Sequence, residues 1–256
     1  MINVSIIGSG NVATHLAHVF TKNNIAVEYI ISRNEDEGTQ LANSIQATFF
    51  KLEGNISFHS TNIIIVAVKD DAIEEMGHFL QHCTIPVAHT SGTMSSSLLS
   101  KNFPETGVLY PLQSFTKGKQ PDFDKIPIIV DSEDEGVLVL LTELAQTISK
   151  CVVRLTDLER QKIHVAAVIS NNFSNHLWYL AERYCKQNNL EFKLLHPLIE
   201  ETIEKLKILS PYLAQTGPAR RHDATTISVH IAELQNYPDL QEIYLGLSNS
   251  IEKHYP

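Results

Sequence analysis

The chain has 256 residues, 43% of them hydrophobic, enough to bury a sizeable core as one large domain or two ordinary ones. Its 29 acidic and 20 basic residues give a formal charge of -9, and the lysines and arginines are scattered, so no stripe for a nucleic acid is present. Cys83, Cys151 and Cys185 are odd in number and far apart, and no apolar run nears the length of a bilayer; this argues against a disulfide framework, a cysteine zinc site and a membrane span, and for a soluble protein of the reducing cytoplasm.

Asn3 to Ile7 is a short apolar, β-branched run that predicts a strand, and GSGNVA follows it directly. Val12, Leu16, Val19 and Phe20 then recur at helical spacing up to Lys22. Further along, Ala26 to Ile31 predicts a second strand, Thr39 to Ser44 a short helix, Ala47 to Phe50 a weak strand and Ile63 to Val68 a buried strand. Ile73 to Phe79 reads as a helix, Ile85 to His89, Gly107 to Tyr110 and Ile126 to Val130 as strands, and Gly136 to Ile148 as a helix. This alternation predicts an α/β fold, a mostly parallel sheet with helices on both faces, and hence a Rossmann NAD(P)-binding domain over residues 1–153. Past about residue 153 the strand signals stop. Helical patterns over Leu158 to Gln187, Pro197 to Ile208, Asp223 to Gln235 and Gln241 to Glu252 predict an all-helical domain over residues 154–256, with the active site in the cleft between the two.

In a dinucleotide-binding turn the first glycine allows a sharp strand-to-helix turn, the second lets backbone N–H groups approach the pyrophosphate, and a third small residue lets helix and strand pack closely. Gly8, Gly10 and Ala13 have these places, between a strand and an amphipathic helix. The second strand ends in Ser32-Arg33-Asn34, without the acidic residue that would bond a ribose 2′-hydroxyl. A hydroxyl and a guanidinium suit a 2′-phosphate, which favours NADP; the alternative is a solvated Arg33 paired with Glu35 or Asp36.

Three stretches follow strands at the end where ligands bind in open sheets: Val68-Lys69-Asp70-Asp71, His89-Thr90-Ser91-Gly92 and Tyr110 to Phe115. Lys69 and Asp70 serve either a ligand or the start of a helix. In His89-Thr-Ser-Gly the small hydroxyls and glycine either leave room for a ligand or form a turn that bonds its own backbone. His164, Asn171 and Asn172 fall on nearly one helix face, either as a core polar network or as lining of the cleft. Thr216 to Asp223 (TGPARRHD) is a turn that presents arginines, with Asp223 placed to cap the next helix. His78 and His82 lie four apart beside Cys83, but no third ligand follows, so no metal site is expected.

Together GSGNVA, IIIVAVKDDAI, HTSG, YPLQSF, HVAAVISNNF and TGPARRHD followed by His230 resemble a bacterial family of Rossmann-like NADP oxidoreductases with a C-terminal helical domain of uncharacterised function. Its relatives are pyrroline-5-carboxylate reductase, deazaflavin-dependent NADP oxidoreductases and 6-phosphogluconate dehydrogenase, whose C-terminal domain the helical half would resemble. The resemblance implies that Gly8, Ser9, Gly10, Asn11 and Val12 hold the pyrophosphate and Ser32 and Arg33 the adenosine phosphate. It also implies that Val68 and Lys69 border the ribose and nicotinamide, with His89, a further cofactor contact, and Ser91 beyond them, and that the helical halves form a substrate domain and pair into a homodimer. His164 and Asn172 would face the nicotinamide. The lysine and asparagine pair of the dehydrogenase relatives is missing, since Lys162 is followed four residues on by Ala166. Tyr110 stands where the nearer family has histidine, and Arg221-His222-Asp223 where it has arginine, glycine, aspartate.

These readings converge on an NADP-dependent oxidoreductase that moves a hydride between the nicotinamide and a small substrate with a C=O or C=N bond. His164 would donate the proton, Asn172 and Ser91 would polarise the substrate, and Arg221 would clamp an anionic group. The competing reading is a cofactor-binding sensor or scaffold without turnover; a deazaflavin-linked reductase is a third.

Overall fold

The computed structural model describes residues 2–54, 56–100 and 105–255. The chain divides into two compact units, Met1–Ser170 and Asn171–Pro256. The first contains one eight-stranded sheet built from β1 (Asn3–Ile7), β2 (Ala26–Ser32), β3 (Thr48–Lys51), β4 (Ile63–Val66), β5 (Val87–His89), β6 (Thr106–Pro111), β7 (Ile128–Ser132) and β8 (Val152–Arg154), in the order β3-β2-β1-β4-β5-β6-β7-β8. All neighbours are parallel except β6 and β7. The strand order through β6 is that of a doubly wound dinucleotide-binding sheet. Helices α1 (Asn11–Lys22), α2 (Glu35–Ile45), α3 (Ile73–Phe79), α4 (Ser97–Ser100), α5 (Glu135–Ile148) and α6 (Asp157–Ala167) complete this unit.

Alternation along β4 explains its unbroken apolar sequence. Ile63 and Ile65 enter a core with Leu16, Phe20 and Leu141, while Ile64 and Val66 enter the core on the other face with Ile73 and Met76. The strand β8 falls where strand signals were expected to have ended: three half-exposed residues carry too little pattern to be read, and pairing with β7 makes them a strand. The long helix expected over Leu158 to Gln187 is interrupted, since a π-helical turn (Val168–Phe173) separates α6 from α7 (Ser174–Gln187). A π turn closes over five residues, so the α-helical spacing that stacked Asn171 and Asn172 beneath His164 does not hold through it.

The second unit contains α7, α8 (His196–Lys205), α9 (Pro211–Ala214), α10 (Ala224–Glu233) and α11 (Pro238–His254). Asp223 caps α10 as expected, accepting from the Thr226 N–H at 3.0 Å. Its neighbour His222 takes φ 53°, ψ 38°, a left-handed conformation that glycine enters at less cost. Here His222 Nε2 pairs with the Tyr255 carbonyl at 2.9 Å, and the Arg220 guanidinium stacks 4.6 Å from the Tyr255 ring. Among the described residues no helix is long and apolar enough to cross a membrane.

Candidate functional site

The C-terminal ends of β1, β2 and β4 open onto a cleft of about 590 Å³ lined by Gly8, Ser9, Gly10, Asn11, Val12, Ile31, Ser32, Arg33, Asn34, Leu52, Ala67, Val68, Lys69, Asp71, Ala72 and Met76. Its floor is the glycine turn. Gly8 has φ +127°, and a Cβ there would lie 2.2 Å from the Ala67 carbonyl oxygen, so both conformation and packing require glycine. Gly10 is different. Its φ of −74° suits any residue, and a Cβ added to it would meet nothing within 4 Å. Among the described residues nothing packs against this position, and beyond the mild preference for glycine at a helix N-cap the protein does not require it, whereas a ligand seated against the backbone would.

Gly10 is also the N-cap of α1, and α1 has neither a side-chain cap nor an acidic residue in its first turn. In contrast, Asn34 caps α2 and Asp134 caps α5, at 3.1 and 2.9 Å. The orphan N–H groups and the positive dipole end of α1 are therefore left for an anion. Ser9 and Ser32 share a hydroxyl hydrogen bond at 2.8 Å that ties the turn to the end of β2, and the Asn11 amide donates to the Phe115 carbonyl at 2.9 Å. Arg33 reaches across to pair with Glu75 on α3, rather than with Glu35 or Asp36. Both side chains are more than half exposed, so the pair is weak and a phosphate can displace the carboxylate.

His89 does not line this cleft. It is fully buried, its Nδ1 accepts the Ser91 N–H at 3.1 Å, and its Nε2 has no hydrogen-bond partner among the described residues. Burial, reinforced by the Arg160 charge and opposed by Asp157 and Asp70, lowers its pKa to about 4, so it is neutral at pH 7. The Ser91 hydroxyl accepts from the N–H groups of Thr93 and Met94 at 3.1 and 3.0 Å, the turn-forming alternative for this stretch. The room expected at Gly92 is filled by two rings. A Cβ there would lie 2.5 Å from His164 Nδ1 and 2.9 Å from Tyr110 Cζ.

Tyr110, on β6, meets His164, on α6, with its hydroxyl 3.0 Å from Nδ1. The start of α6 is stitched to the loop after β5 by residues that the sequence did not single out. Arg160 is fully buried, pairs with Asp157 at 2.8 Å and donates to the Met94 carbonyl; Asp157 accepts from the Ser95 hydroxyl and from the Ser96 N–H at 3.1 Å. Asn172 and Arg221 belong to the second unit, where both are exposed. Among the described residues no cluster of three or more histidine, cysteine or acidic side chains could hold a metal ion.

A doubly wound sheet with a glycine turn at an uncapped helix start defines a dinucleotide-binding protein of the Rossmann class. Residues 3–81 match a family described as NADP oxidoreductase coenzyme F420-dependent, and residues 126–251 a domain of unknown function, DUF2520. A putative NADP oxidoreductase from Bacteroides fragilis is 32% identical, with 98% of each chain covered and a TM-score of 0.91. The chain belongs to this family of Rossmann-fold NADP oxidoreductases with a helical C-terminal part. A Thermotoga maritima protein is similar in fold at 21% identity, covering 98% of this chain and 97% of its own, with a TM-score of 0.74. A reductive aminase from Aspergillus terreus, in complex with NADPH and ethyl-5-oxohexanoate, is similar at 13% identity, 99% and 93% coverage and a TM-score of 0.67. No curated protein matches the chain.

Proposed function

We propose that this chain binds NADPH in the cleft and transfers hydride between its nicotinamide and a small substrate with a C=O or C=N bond. Gly10 carries the reading, as a glycine that neither the backbone nor the packing of the protein requires. NADPH, when bound, supplies the hydride. Ser9, Gly10, Asn11 and Val12 present the α1 N-terminus to the pyrophosphate, Ser32 and Arg33 face the 2′-phosphate, and Val68 and Lys69 border the ribose. His164 donates a hydrogen bond to the substrate heteroatom and polarises it, and solvent supplies the proton that completes the reduction. Ser91 shapes the loop beneath it, and the proposal needs no part from His89, Asn172 or Arg221. The reductive aminase of the same fold, which holds NADPH, supports the choice of cofactor.

A panel of aldehydes, ketones and imines assayed with NADPH tests this reading. At least one is reduced, and His164→Ala lowers kcat by about 10²-fold or more while the Kd for NADPH stays within about twofold. Binding of NADPH with a change of shape but no turnover on any substrate would support a sensor instead.

The second unit supports a homodimer. Trp178, Leu194, Leu198, Ile208 and Leu213 are all exposed there, apolar side chains that a two-fold partner could cover.

A further inference from the structure

We propose that Tyr110 is a positioning residue for His164: its hydroxyl donates to Nδ1 and fixes the imidazole as the tautomer with hydrogen on Nε2. The inference deepens the reading of His164 as the donor to substrate and rests on it for its function, but its geometry is independent of that reading.

Three elements make the contact. The end of β6 supplies Tyr110, α6 supplies His164, and the loop after β5 passes between them at Gly92. The tyrosine hydroxyl lies 3.0 Å from Nδ1, and the rings meet edge to face with centroids 6.0 Å apart at 62°. Any side chain at residue 92 would occupy the space of the imidazole, since a Cβ there would come within 2.5 Å of Nδ1 and 2.9 Å of Cγ. The glycine of His-Thr-Ser-Gly is thus what lets the two rings touch.

Either member of this pair could donate, and the donor's part is assigned to the tyrosine. A tyrosine hydroxyl has one hydrogen to place, and Nδ1 is its hydrogen-bond partner here. A neutral imidazole can accept it only if its own hydrogen is on Nε2. Burial raises the Tyr110 pKa, with the Asp70 charge adding to the shift and Arg160 opposing it, so the hydroxyl keeps its proton through the physiological range and has it to donate. Nε2–H is then the one ring donor left for a substrate oxygen or nitrogen.

Long-range proton–nitrogen correlation NMR on histidine-labelled protein reads the tautomer without cofactor or turnover, with His164 assigned by its loss in His164→Gln. The wild type is expected to show hydrogen on Nε2 at neutral pH. Tyr110→Phe and Gly92→Ala should each shift His164 toward a mixture of tautomers, and Tyr110→Phe should lower kcat by about 5- to 10-fold with the KM for NADPH unchanged. Wild-type hydrogen on Nδ1, or a His164 spectrum unchanged in Tyr110→Phe, overturns the proposal. An Nε2–H tautomer in a protein whose His164→Ala variant keeps full turnover would retain the positioning and remove the catalytic reading of His164.

Discussion

Gly10→Val is expected to fold with no more than about 1 kcal/mol lost at the N-cap of α1 and yet to bind NADPH far more weakly, whereas Gly8→Ala should lose both fold stability and binding. Both glycines belong to the same turn, but different neighbours require them. At Gly10 the backbone is extended, and an added Cβ enters open space at the mouth of α1, where the pyrophosphate would rest against the N–H groups. The isopropyl group would overpack the ligand and not the protein, costing about 2–3 kcal/mol of binding, or roughly 30- to 160-fold in Kd. At Gly8 an alanine must adopt φ +127° and place its Cβ 2.2 Å from the Ala67 carbonyl oxygen, so the turn or β4 must shift. Such strain costs at least about 3 kcal/mol, and for a chain of this size lowers the Tm by roughly 6–12 °C. Calorimetry and NADPH titration of the two variants check the pair. Full NADPH affinity in Gly10→Val would leave that glycine without the ligand role assigned to it.

Arg160→Ala is the second large effect. The guanidinium is wholly buried, yet only Nη2 is satisfied, by Asp157 and the Met94 carbonyl, while Nε and Nη1 have no partner among the described residues. Truncation removes both bonds, opens a cavity and leaves Asp157 with the Ser95 and Ser96 contacts alone. A buried charge pair broken on one side costs about 3–5 kcal/mol when both partners are buried; Asp157 keeps 28% exposure, which brings the expected loss to about 2–4 kcal/mol. Arg160→Met, which refills the space without the desolvated charge, should cost less than Arg160→Ala. Because Arg160 holds the loop that carries Gly92 against the helix that carries His164, Arg160→Ala should also reduce turnover beyond its effect on stability. Urea unfolding of the two variants decides the matter, and a loss below about 1 kcal/mol in Arg160→Ala would show that the buried guanidinium is not what joins loop and helix.

Much of the fold was legible because strands and helices here announce themselves by period. The β-branched run before Gly8, the all-apolar Ile63 to Val66 and the helical spacing from Val12 to Phe20 each depend on which face is buried, and the sheet is buried on both. The glycine turn was legible for the same local reason. What sequence pattern could not supply was tertiary choice. Asp157-Leu-Glu-Arg160-Gln-Lys reads as a solvated helix start, and nothing in its spacing says that the arginine turns inward to a loop more than sixty residues earlier. Arg33 had acidic neighbours in sequence but found Glu75 instead, because α3 brings that carboxylate over the end of β2. Gly92 looked like space for a ligand, and the space went to His164 and Tyr110. His89, expected near the cofactor, is fully buried at the end of β5 and is not among the residues that line the cleft.

Thermal stabilisation by NADPH and by NADH at matched concentrations, on the wild type and on Arg33→Ala, tests the central claim most directly. A ligand confined to the native state adds about 2.7 kcal/mol at 100 times its Kd, a shift of several degrees for a chain of this size. NADPH should raise the wild-type Tm well above the rise given by NADH, and Arg33→Ala should remove the difference while retaining a common response to both through the glycine turn. No shift with either nucleotide near millimolar concentration would make Gly8 to Ala13 a structural turn and contradict the account.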